Sequence, residues 1–550
     1  MLNLCACLLL AAAFLDEPFQ EWTPTAASPS SEAARTPLSP EEVAQLIANS
    51  PPLPFDNPTS GAKATTGAIW LAAPQGVMLL EPGAARWRLF HSRRWLPQGE
   101  VRSLQLDGAD GVQVETTGGK GRLSQRAWTP RHKADAVLKQ LRERNVLRGF
   151  VSESELNNAD EPSAGHFQPS SDNDGLWTSM YVAAEAFRYG ATGAEDARAN
   201  AQQSLNALFE LERITGSPGF VARSIVPSSE PDPTERYGGH WVRSADDKWW
   251  WKSDTSSDEL VGHYFAYSVY YDLVADESEK LALRGTVQRI TDRILKDDFN
   301  YLDPDGKRTT WGFWGPRDLN HNLEHIDERG LNSLELLMFL EVAHHIVGGP
   351  RYAEVAKDLI DQHAYATNTL QQKLLGPVEW INHSDDELAF LSYYPLLRYE
   401  RDPALRKIYL ASLERSWIIE QPERSPLFNL IFGAALQGER HADPARRPAQ
   451  RHVSPERYDQ AACLEWFRDA PADTRYWAIQ NSMRKDLGPL QKDRFGRVRS
   501  LQVLPVSERP VMKWNGDPYV LDGGGDGRTC DDGTFYLLPL WLGEYHRLLD

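Results

Sequence analysis

Acidic side chains stand beside tryptophans at several points of this sequence, each time just before or within the start of a predicted helix. The stretches are Asp172–Trp177, Trp249–Glu259 and Trp311–Glu335, and a further acidic set follows in His383–Glu387. Indole faces stack on the C–H faces of sugar rings, while carboxylates hydrogen-bond hydroxyl groups or transfer protons. The combination indicates a site that binds and cleaves carbohydrate.

Asp254 is the first choice for a catalytic carboxylate. The patterns Ser256-x-x-Glu259, Ser384-x-x-Glu387 and, more loosely, Asn332-x-x-Glu335 predict capping boxes that bind free N–H groups at helix starts. Asp258 lies in a first helical turn, where the helix dipole favours a carboxylate in any case. Asp254 precedes the helix, and no capping role accounts for it.

Asp172 and Asp174 provide the second predicted carboxylate, with Asp258 as a further candidate. We predict that one Asp of the pair caps the following helix and that the other is spare. Two close carboxylates raise one pKa, which produces a general acid at neutral pH. Inverting hydrolysis would place the acid and the base about 6.5–9.5 Å apart. A calcium site is the competing interpretation, but the spacing lacks an EF-hand pattern.

Aromatic, basic and polar side chains near these acids are the predicted substrate-binding residues. Three consecutive indoles in Trp249–Trp251 cannot all face one way, so we expect some of them to line a cleft. We also expect a C-terminal polar loop, with Asp522 and Asp526, to fold over the same site. The predicted set is Trp177, Arg236, Tyr237, His240, Trp250, Trp251, His263, Trp311, Trp314, His383, Asp385 and Trp514.

Two other functions remain open from the sequence. A polysaccharide lyase would use Tyr237, His240, His263 or Tyr264 as acid or base, with Arg236 or Arg243 neutralising a uronate; the net charge of −18 argues mildly against it. A non-catalytic sugar-binding or sensory protein would bind ligand and release no product.

The sequence predicts no metal site and no cofactor. His321–His325 reads HNLEH, the H-x-x-E-H spacing of one class of zinc protease, but it follows Gly315-Pro316 in a long loop instead of lying on a stable helix. Cys463 and Cys530 have no metal-type spacing. They form one disulfide or are buried as free thiols.

The acidic net charge limits the possible partners, and the apolar N-terminus indicates where the protein is located. A net charge of −18 repels phosphate backbones, which makes nucleic acid an unfavourable partner. The apolar run Leu2–Leu15 is too short to span a membrane in the mature chain, and Ala11–Ala13 suits a cleavage region. Residues 1–16 therefore predict a signal peptide and a secreted or periplasmic protein. The signal is atypical, since no Lys or Arg precedes the run.

Helical hydrophobic periodicity begins near Lys133 and continues to the C-terminus. The predicted helices span 133–145, 176–189, 194–213, 258–274, 277–295, 331–347, 352–363, 385–399, 403–417, 427–436, 456–467 and 534–549. Short connections make consecutive helices antiparallel neighbours, and the longest loops precede every second helix. A mainly α fold follows, an (α/α)6 toroid over 129–550, with helix N-termini at one mouth.

A smaller unit with β character precedes the helices. Residues 17–60, rich in Pro, Ser, Thr and Ala, predict a disordered linker, and 61–128 predict a small β module. Ala68–Val77 is echoed 43 residues later by Gly111–Lys120. These runs resemble the repeats of two-component-regulator propellers. Only about two repeats are present, too few to close a propeller ring.

The helical region also resembles a group of known proteins. Asp172–Trp177, Trp249–His263, Trp311–Trp314 with Gly330–Glu335, and Phe535–Trp541 are similar to stretches of secreted bacterial (α/α)6-toroid proteins. That fold occurs among glycoside hydrolases and polysaccharide lyases. The resemblance implies a polysaccharide or oligosaccharide partner and the toroid fold. It carries over no catalytic residue, and the sugar, the linkage and the oligomeric state stay open.

Overall fold

A computed structural model describes residues 13–26, 38–108, 111–373, 382–437 and 453–550. About 47% of the chain is helical and 19% is strand, and the N-terminal region is rich in strand. These proportions confirm a mainly α protein with small sheets.

Two four-stranded antiparallel sheets make up the N-terminal region, together with the short helices α1 (Ala13–Asp16) and α2 (Pro40–Ala48). Their orders are β2-β3-β4-β5 and β1-β8-β7-β6. The strands are β1 (Phe19–Ala26), β2 (Ser60–Lys63), β3 (Ile69–Ala73), β4 (Gly76–Leu80), β5 (Arg88–Phe90), β6 (Val101–Leu106), β7 (Gly111–Thr116) and β8 (Gly119–Trp128).

The 43-residue sequence echo corresponds to two equivalent hairpins. β3 and β4 are joined by a two-residue turn after Ala73, and β7 and β8 by a two-residue turn after Thr116. In each sheet the hairpin supplies two adjacent inner strands. The two sheets share one core, in which Trp22 meets Trp70 edge to face at 4.8 Å. The repeat therefore marks a duplicated sheet.

The structure corrects the predicted boundaries of the leader and the linker. Phe14 and Leu15, assigned to the leader, are buried in the core of the helical region. Within the predicted linker, β1 pairs with β8 from Phe19 opposite Trp128 onward, and α2 is helical. The Pro- and Thr-rich composition concealed a strand because Trp22 supplies the apolar side chain that it buries. Residues 1–12 and 27–37 lie outside the described residues.

Helices dominate from Pro130 onward. They are α3 (Pro130–Arg144), α4 (Asp174–Thr192), α5 (Glu195–Arg213), α6 (Pro233–Tyr237), α7 (Ser257–Leu273), α8 (Glu277–Lys296), α9 (Pro316–His321), α10 (Arg329–Val347), α11 (Arg351–His363), α12 (Tyr365–Asn368), α13 (His383–Tyr399), α14 (Pro403–Glu420), α15 (Pro426–Leu436), α16 (Gln460–Asp469) and α17 (Thr534–Tyr545). Each of the predicted helices has a counterpart here. The short helices α6, α9 and α12 were not predicted.

Six of the helices are buried along most of their length and contact one another in series. α4 contacts α7, α7 contacts α10, α10 contacts α13, α13 contacts α15, α15 contacts α17, and α17 contacts α4. Each also contacts a helix nearby in sequence or, for α17, the helix α3. The helices that contact these six from outside the series bury one apolar stripe each. In α8, for example, the stripe contains Leu283, Val287, Ile290 and Ile294. Helices that are apolar on most sides must be enclosed, and a one-sided stripe suits an outer position.

Short strands connect the helices. They are β9 (Val146–Leu147), β10 (Phe150–Val151), β11 (Ser154–Leu156), β12 (His166–Phe167), β13 (Ile225–Pro227), β14 (Trp241–Arg243), β15 (Trp249–Lys252), β16 (Asn300–Leu302), β17 (Arg308–Phe313), β18 (Arg475–Gln480), β19 (Gln491–Lys492), β20 (Val498–Arg499) and β21 (Asp522–Cys530). β21 pairs with β11 and β18, so the prediction of a loop over 522–528 is wrong.

Two further sequence questions are answered by burial and length. Cys463 and Cys530 are buried free thiols, so they do not form the disulfide that the sequence left open. Among the helices that the structure describes, none combines the length and the apolar character needed to cross a bilayer.

Candidate functional site

The N-terminal ends of α7, α10 and α13 surround a cavity of about 220 Å³, here named the acidic cavity. Three carboxylates line it: Asp258 from α7, Glu328 beside α10, and Asp385 from α13. Trp311 on β17 forms another wall, and its side chain is 51% exposed, which leaves an indole face open to solvent. The cavity thus brings together two predicted carboxylates and one predicted stacking residue.

Asp258 lies at the centre of the acidic groups. Its carboxylate is half-buried and has no hydrogen-bond or ion-pair partner among the residues in the described ranges. Burial raises the pKa of four neighbouring carboxyls, and the charge of Asp258 adds to each increase. They are Glu259, Glu335, Asp385 and Glu387. The negative charge of Asp258 is therefore surrounded by groups that favour the protonated form.

One lysine joins the other two acids of the cavity. Lys373 Nζ lies 2.6 Å from Asp385 Oδ2 and 3.0 Å from Glu328 Oε2. Burial raises the pKa of both carboxyls, although the lysine ammonium acts in the opposite direction. A single cation shared by two largely buried acids leaves the cavity with an excess of negative charge or with a retained proton.

The predicted capping boxes are absent, because the glutamates turn into the core. Ser256 makes no side-chain cap at the start of α7, and the residue that caps α13 is Asn382. Asn332 lies inside α10 and donates to the carbonyl of Phe313 at 2.8 Å. A capping box needs the glutamate to reach back to the N-cap N–H of its own helix, whereas Glu259, Glu335 and Glu387 are all buried.

The buried glutamates connect one helix to the next element. Glu259 Oε1 accepts a hydrogen bond from the Leu176 N–H of α4 at 3.3 Å. Glu335 Oε2 accepts one from the Trp314 indole N–H at 2.7 Å. Burial raises the pKa of Glu387 to about 8, so this carboxyl is largely protonated at neutral pH. These three side chains brace the ends of the enclosed helices behind the acidic cavity.

Asp254 has a structural partner outside the cavity lining. The Thr310 N–H and hydroxyl donate to its two carboxylate oxygens at 2.7 and 2.9 Å. Its own N–H donates to Asp303 Oδ2 at 3.0 Å, and its backbone is left-handed, with φ of 58°. The side chain therefore fastens the β16–β17 hairpin, which carries Trp311, to the segment before α7.

Asp172 and Asp174 have different environments, but neither lines the acidic cavity. Asp172 forms an ion pair with Lys252, which holds the pKa of the carboxyl below its ordinary value although partial burial raises it. Asp174 is buried, which raises its pKa, and accepts from the Ser171 hydroxyl and the Ser224 hydroxyl, both at 2.6 Å. The N-cap of α4 is Asn173, so neither aspartate takes the predicted capping position.

The tryptophan run forms a strand, and each of its rings packs against another side chain. β15 is the middle strand of the sheet β13-β15-β14. Trp251 is buried against Phe220, with ring centroids 6.0 Å apart. Guanidinium groups cover the other two rings: Arg148 lies 5.2 Å from the centroid of Trp249, and Arg243 lies 4.1 Å from that of Trp250. Trp249 and Trp250 stay half-buried, and none of the three tryptophans lines the acidic cavity.

Three other predicted ligand contacts are core side chains. Trp314 and His263 are fully buried, and Trp514 is 5% exposed. His263 Nδ1 lies 2.6 Å from the carbonyl of Glu259, and burial lowers the pKa of the imidazole to about 4. Tyr264, proposed for the lyase alternative, is fully buried as well. The structure corrects these assignments, since a polymer cannot contact side chains enclosed on all sides.

Arg236, Tyr237 and His240 form a separate surface group. Arg236 lies over the rings of Phe167 and Tyr237, with its Cζ 5.6 and 5.0 Å from their centroids. His240 is exposed, and its Nδ1 lies 2.7 Å from Ser253 Oγ. Burial raises the pKa of the Tyr237 hydroxyl, which disfavours this residue as a base at neutral pH.

Sequence reasoning missed a polar cluster beside Trp177. Lys513 Nζ lies 4.3 Å from the Trp177 ring centroid and 2.6 Å from Asp532 Oδ2. Burial raises the pKa of the neighbouring Asp531 to about 7, with Lys513 opposing and Asp532 adding to the increase. The signal was present in the paired aspartates just before the last helix, but nothing in the sequence indicated that Lys513 would meet them.

The remaining predicted positions lie apart from the cavity lining or at its edge. Within the HNLEH stretch, His321 ends α9 and His325 belongs to a separate 3₁₀ turn, so the two rings do not share one helix face. His325 stacks on Phe313 at 4.3 Å. His383 is buried at the first position of α13, 3.3 Å from Glu423 Oε1.

Comparison of the chain with known protein families, with characterised proteins and with solved structures finds no match.

Proposed function

We propose that this chain is a carbohydrate-active enzyme, a glycoside hydrolase that cleaves a polysaccharide or oligosaccharide in the acidic cavity. One observation carries the proposal. The half-buried, unpartnered carboxylate of Asp258 shares a cavity with a second carboxyl, Asp385, whose pKa is raised by burial, and with the exposed indole of Trp311. Glycosidases commonly need two carboxyls in different protonation states and a surface that holds a sugar ring.

The fold part of the proposal is an (α/α)6 toroid. The serial contacts of α4, α7, α10, α13, α15 and α17 support an inner ring, and the one-sided burial of their partners supports an outer ring. In this arrangement the N-terminal ends that carry Asp258, Glu328 and Asp385 would open at one mouth. Their helix dipoles would favour the negative charge gathered there.

The proposed chemistry assigns one proton transfer to each carboxyl. Asp385 donates its proton to the glycosidic oxygen as the bond between that oxygen and the anomeric carbon breaks. Asp258 accepts a proton from the attacking water, whose oxygen forms the new bond to the anomeric carbon. The products contain one added water. Lys373, 2.6 Å from Asp385, stabilises the carboxylate that remains after donation.

The test is product analysis with the full chain. We expect mass spectrometry of digests of neutral and uronate-containing polysaccharides to show fragments one water heavier than the corresponding chain segments. Fragments lighter by one water would indicate elimination and would move the assignment to the Arg236, Tyr237 and His240 group. Binding without fragments from any substrate would overturn hydrolysis and favour a sugar-binding protein.

Asp254→Asn separates the structural aspartate from the catalytic one. We expect the variant to keep hydrolytic activity within a few-fold, because Asp254 bonds Thr310 and lies outside the cavity lining. We expect the free energy of unfolding to fall by about 1 kcal/mol, since an amide accepts from only one of the two donors. Thermal denaturation and initial rates measure the two effects. Abolished activity in a folded variant would return the catalytic assignment to Asp254.

A further inference from the structure

A second group of ligating side chains lies behind the acidic cavity. His383 begins α13, Glu420 ends α14, and Glu423 belongs to the 3₁₀ turn that follows. One donor atom from each lies within 4.8 Å of the others. Their residues are 6%, 2% and 4% exposed, so all three are enclosed. Elements distant in sequence therefore direct one imidazole and two carboxyls at a common point.

Several polar atoms of this group make no hydrogen bond. Neither ring nitrogen of His383 makes one in the described part of the chain, although Nδ1 lies 3.3 Å from Glu423 Oε1 and Nε2 lies 3.7 Å from Asp517 Oδ1. Glu420 Oε2 and Asp386 Oδ2 also make none. Buried polar side-chain atoms in proteins nearly always have a partner. The histidine is the most informative member, because each ring nitrogen of this enclosed imidazole faces a carboxylate without forming a hydrogen bond to it.

Apart from His383, which faces Glu423, these carboxyls have no basic side chain as an ion-pair partner among the described residues. Among the residues that the structure describes, no Lys or Arg forms an ion pair with the carboxyl groups of Asp386, Glu420 or Glu423. The nearby Arg499 pairs with Asp517 at 2.8 Å. Arg509 donates to the backbone carbonyl of Glu423, and no contact with the Glu423 carboxyl is formed. Three enclosed carboxyls beside one imidazole need either protons or a cation.

We propose that His383, Glu420 and Glu423 bind a divalent transition-metal ion, zinc or manganese, with Asp386 as a further ligand. An imidazole nitrogen combined with carboxylate oxygens suits these ions, whereas calcium and magnesium prefer oxygen ligands. His383 Nδ1 lies 3.3 Å from Glu423 Oε1. Two ligands about 2.0 Å from one tetrahedral ion would be separated by about 3.3 Å.

The ion would hold the start of α13 in place. His383 and Asp386 flank Asp385, whose side chain lines the acidic cavity. Binding would tie this turn to the end of α14, so the site acts on the geometry of the cavity without touching a substrate. It does not depend on the chain being a hydrolase, because binding and stability report on it directly.

The test uses the purified full chain, stripped with a chelator and titrated with zinc chloride or manganese chloride. We expect one ion per chain and a thermal midpoint that rises on titration. Calcium chloride, the control ion, should bind at least tenfold more weakly. Glu420→Gln, which keeps the side-chain shape, should raise the Kd for zinc or manganese about 10–100-fold or more. Glu465→Gln, an exposed glutamate paired with Arg424, is the matched control and should change nothing.

His383→Ala is the second ligand variant, and its readout is the absorption spectrum of bound cobalt(II). This spectrum reports nitrogen coordination even if the substitution also changes the stability of the fold. We expect the His383→Ala variant to lose the bands that cobalt(II) gives in the wild type. Absence of zinc and manganese binding in the wild type would overturn the proposal and leave a cluster of carboxyls that share protons. Unchanged binding in both ligand variants would overturn it equally.

Discussion

Asp258→Asn is expected to lower kcat for glycoside hydrolysis by about 10²–10⁴-fold, because an amide cannot accept the proton of the attacking water. KM should change little, since the amide keeps the shape and part of the hydrogen-bonding capacity of the carboxylate. Initial rates on whichever substrate the product screen identifies measure the effect. The variant should fold normally, because the carboxylate bonds no described residue.

Asp172→Asn is the matched control for that variant. It makes the same chemical change just before a neighbouring enclosed helix, at an exposed carboxylate that pairs with the buried Lys252 outside the cavity lining. We expect its kcat to stay near the wild-type value. Equal losses in the two variants, or full activity in Asp258→Asn, would contradict the assignment of Asp258 as the base.

Asp272→Ala is expected to produce the largest loss of stability. Asp272 is buried near the C-terminal end of α7 and accepts from Arg398 Nε at 2.9 Å and from the Tyr399 hydroxyl at 3.1 Å, while His345 Nε2 lies 2.8 Å away. Removing the carboxylate leaves the buried Arg398 guanidinium without its counter-ion, which costs about 3–5 kcal/mol. Denaturant titration measures the change. A loss below 1 kcal/mol would contradict this account.

The lowered pKa of the Asp272 carboxyl predicts that the fold loses stability in acid. Burial raises the pKa of Asp272, but Arg398 and His345 outweigh that effect and hold it below its ordinary value. The unfolded state then binds the proton more readily than the folded state. Stability from this group is present above a pH of about 4 and is lost as the pH falls through the lowered pKa. Asp361→Ala removes an exposed pair with Lys357 and should change stability little at any pH.

Helix positions could be predicted because they depend on local pattern. The periodic apolar residues of α8, such as Leu283, Val287, Ile290 and Ile294, define a buried stripe that needs no knowledge of its partner. β1 could not be predicted, since its partner β8 lies about a hundred residues away and its own composition favours a linker. The duplicated hairpins were visible because repetition is itself a local signal.

The lining of the acidic cavity could be predicted only in part. Local reasoning preferred Asp254 because no cap explained it, yet Thr310, from a hairpin more than fifty residues away, accounts for its carboxylate. Asp258 is only a further candidate from the sequence, because the helix dipole already favours a carboxylate there, yet it is the unpartnered acid among the described residues. Glu335 looked like a cap and instead accepts from Trp314 in the core. In each case the deciding neighbour comes from another element, and spacing along the chain does not encode it.

The contact between α4 and α17 has a consequence for synthesis on the ribosome. α4 begins at Asp174, while its partner α17 begins at Thr534, which is made 360 residues later. Until that helix emerges, the apolar side of α4 that α17 covers has no permanent neighbour. A nascent chain in this condition is prone to aggregate, and a ribosome stalled before residue 534 would release a product that cannot close its core. We therefore expect chaperone dependence during translation, with a late and cooperative gain of protease resistance.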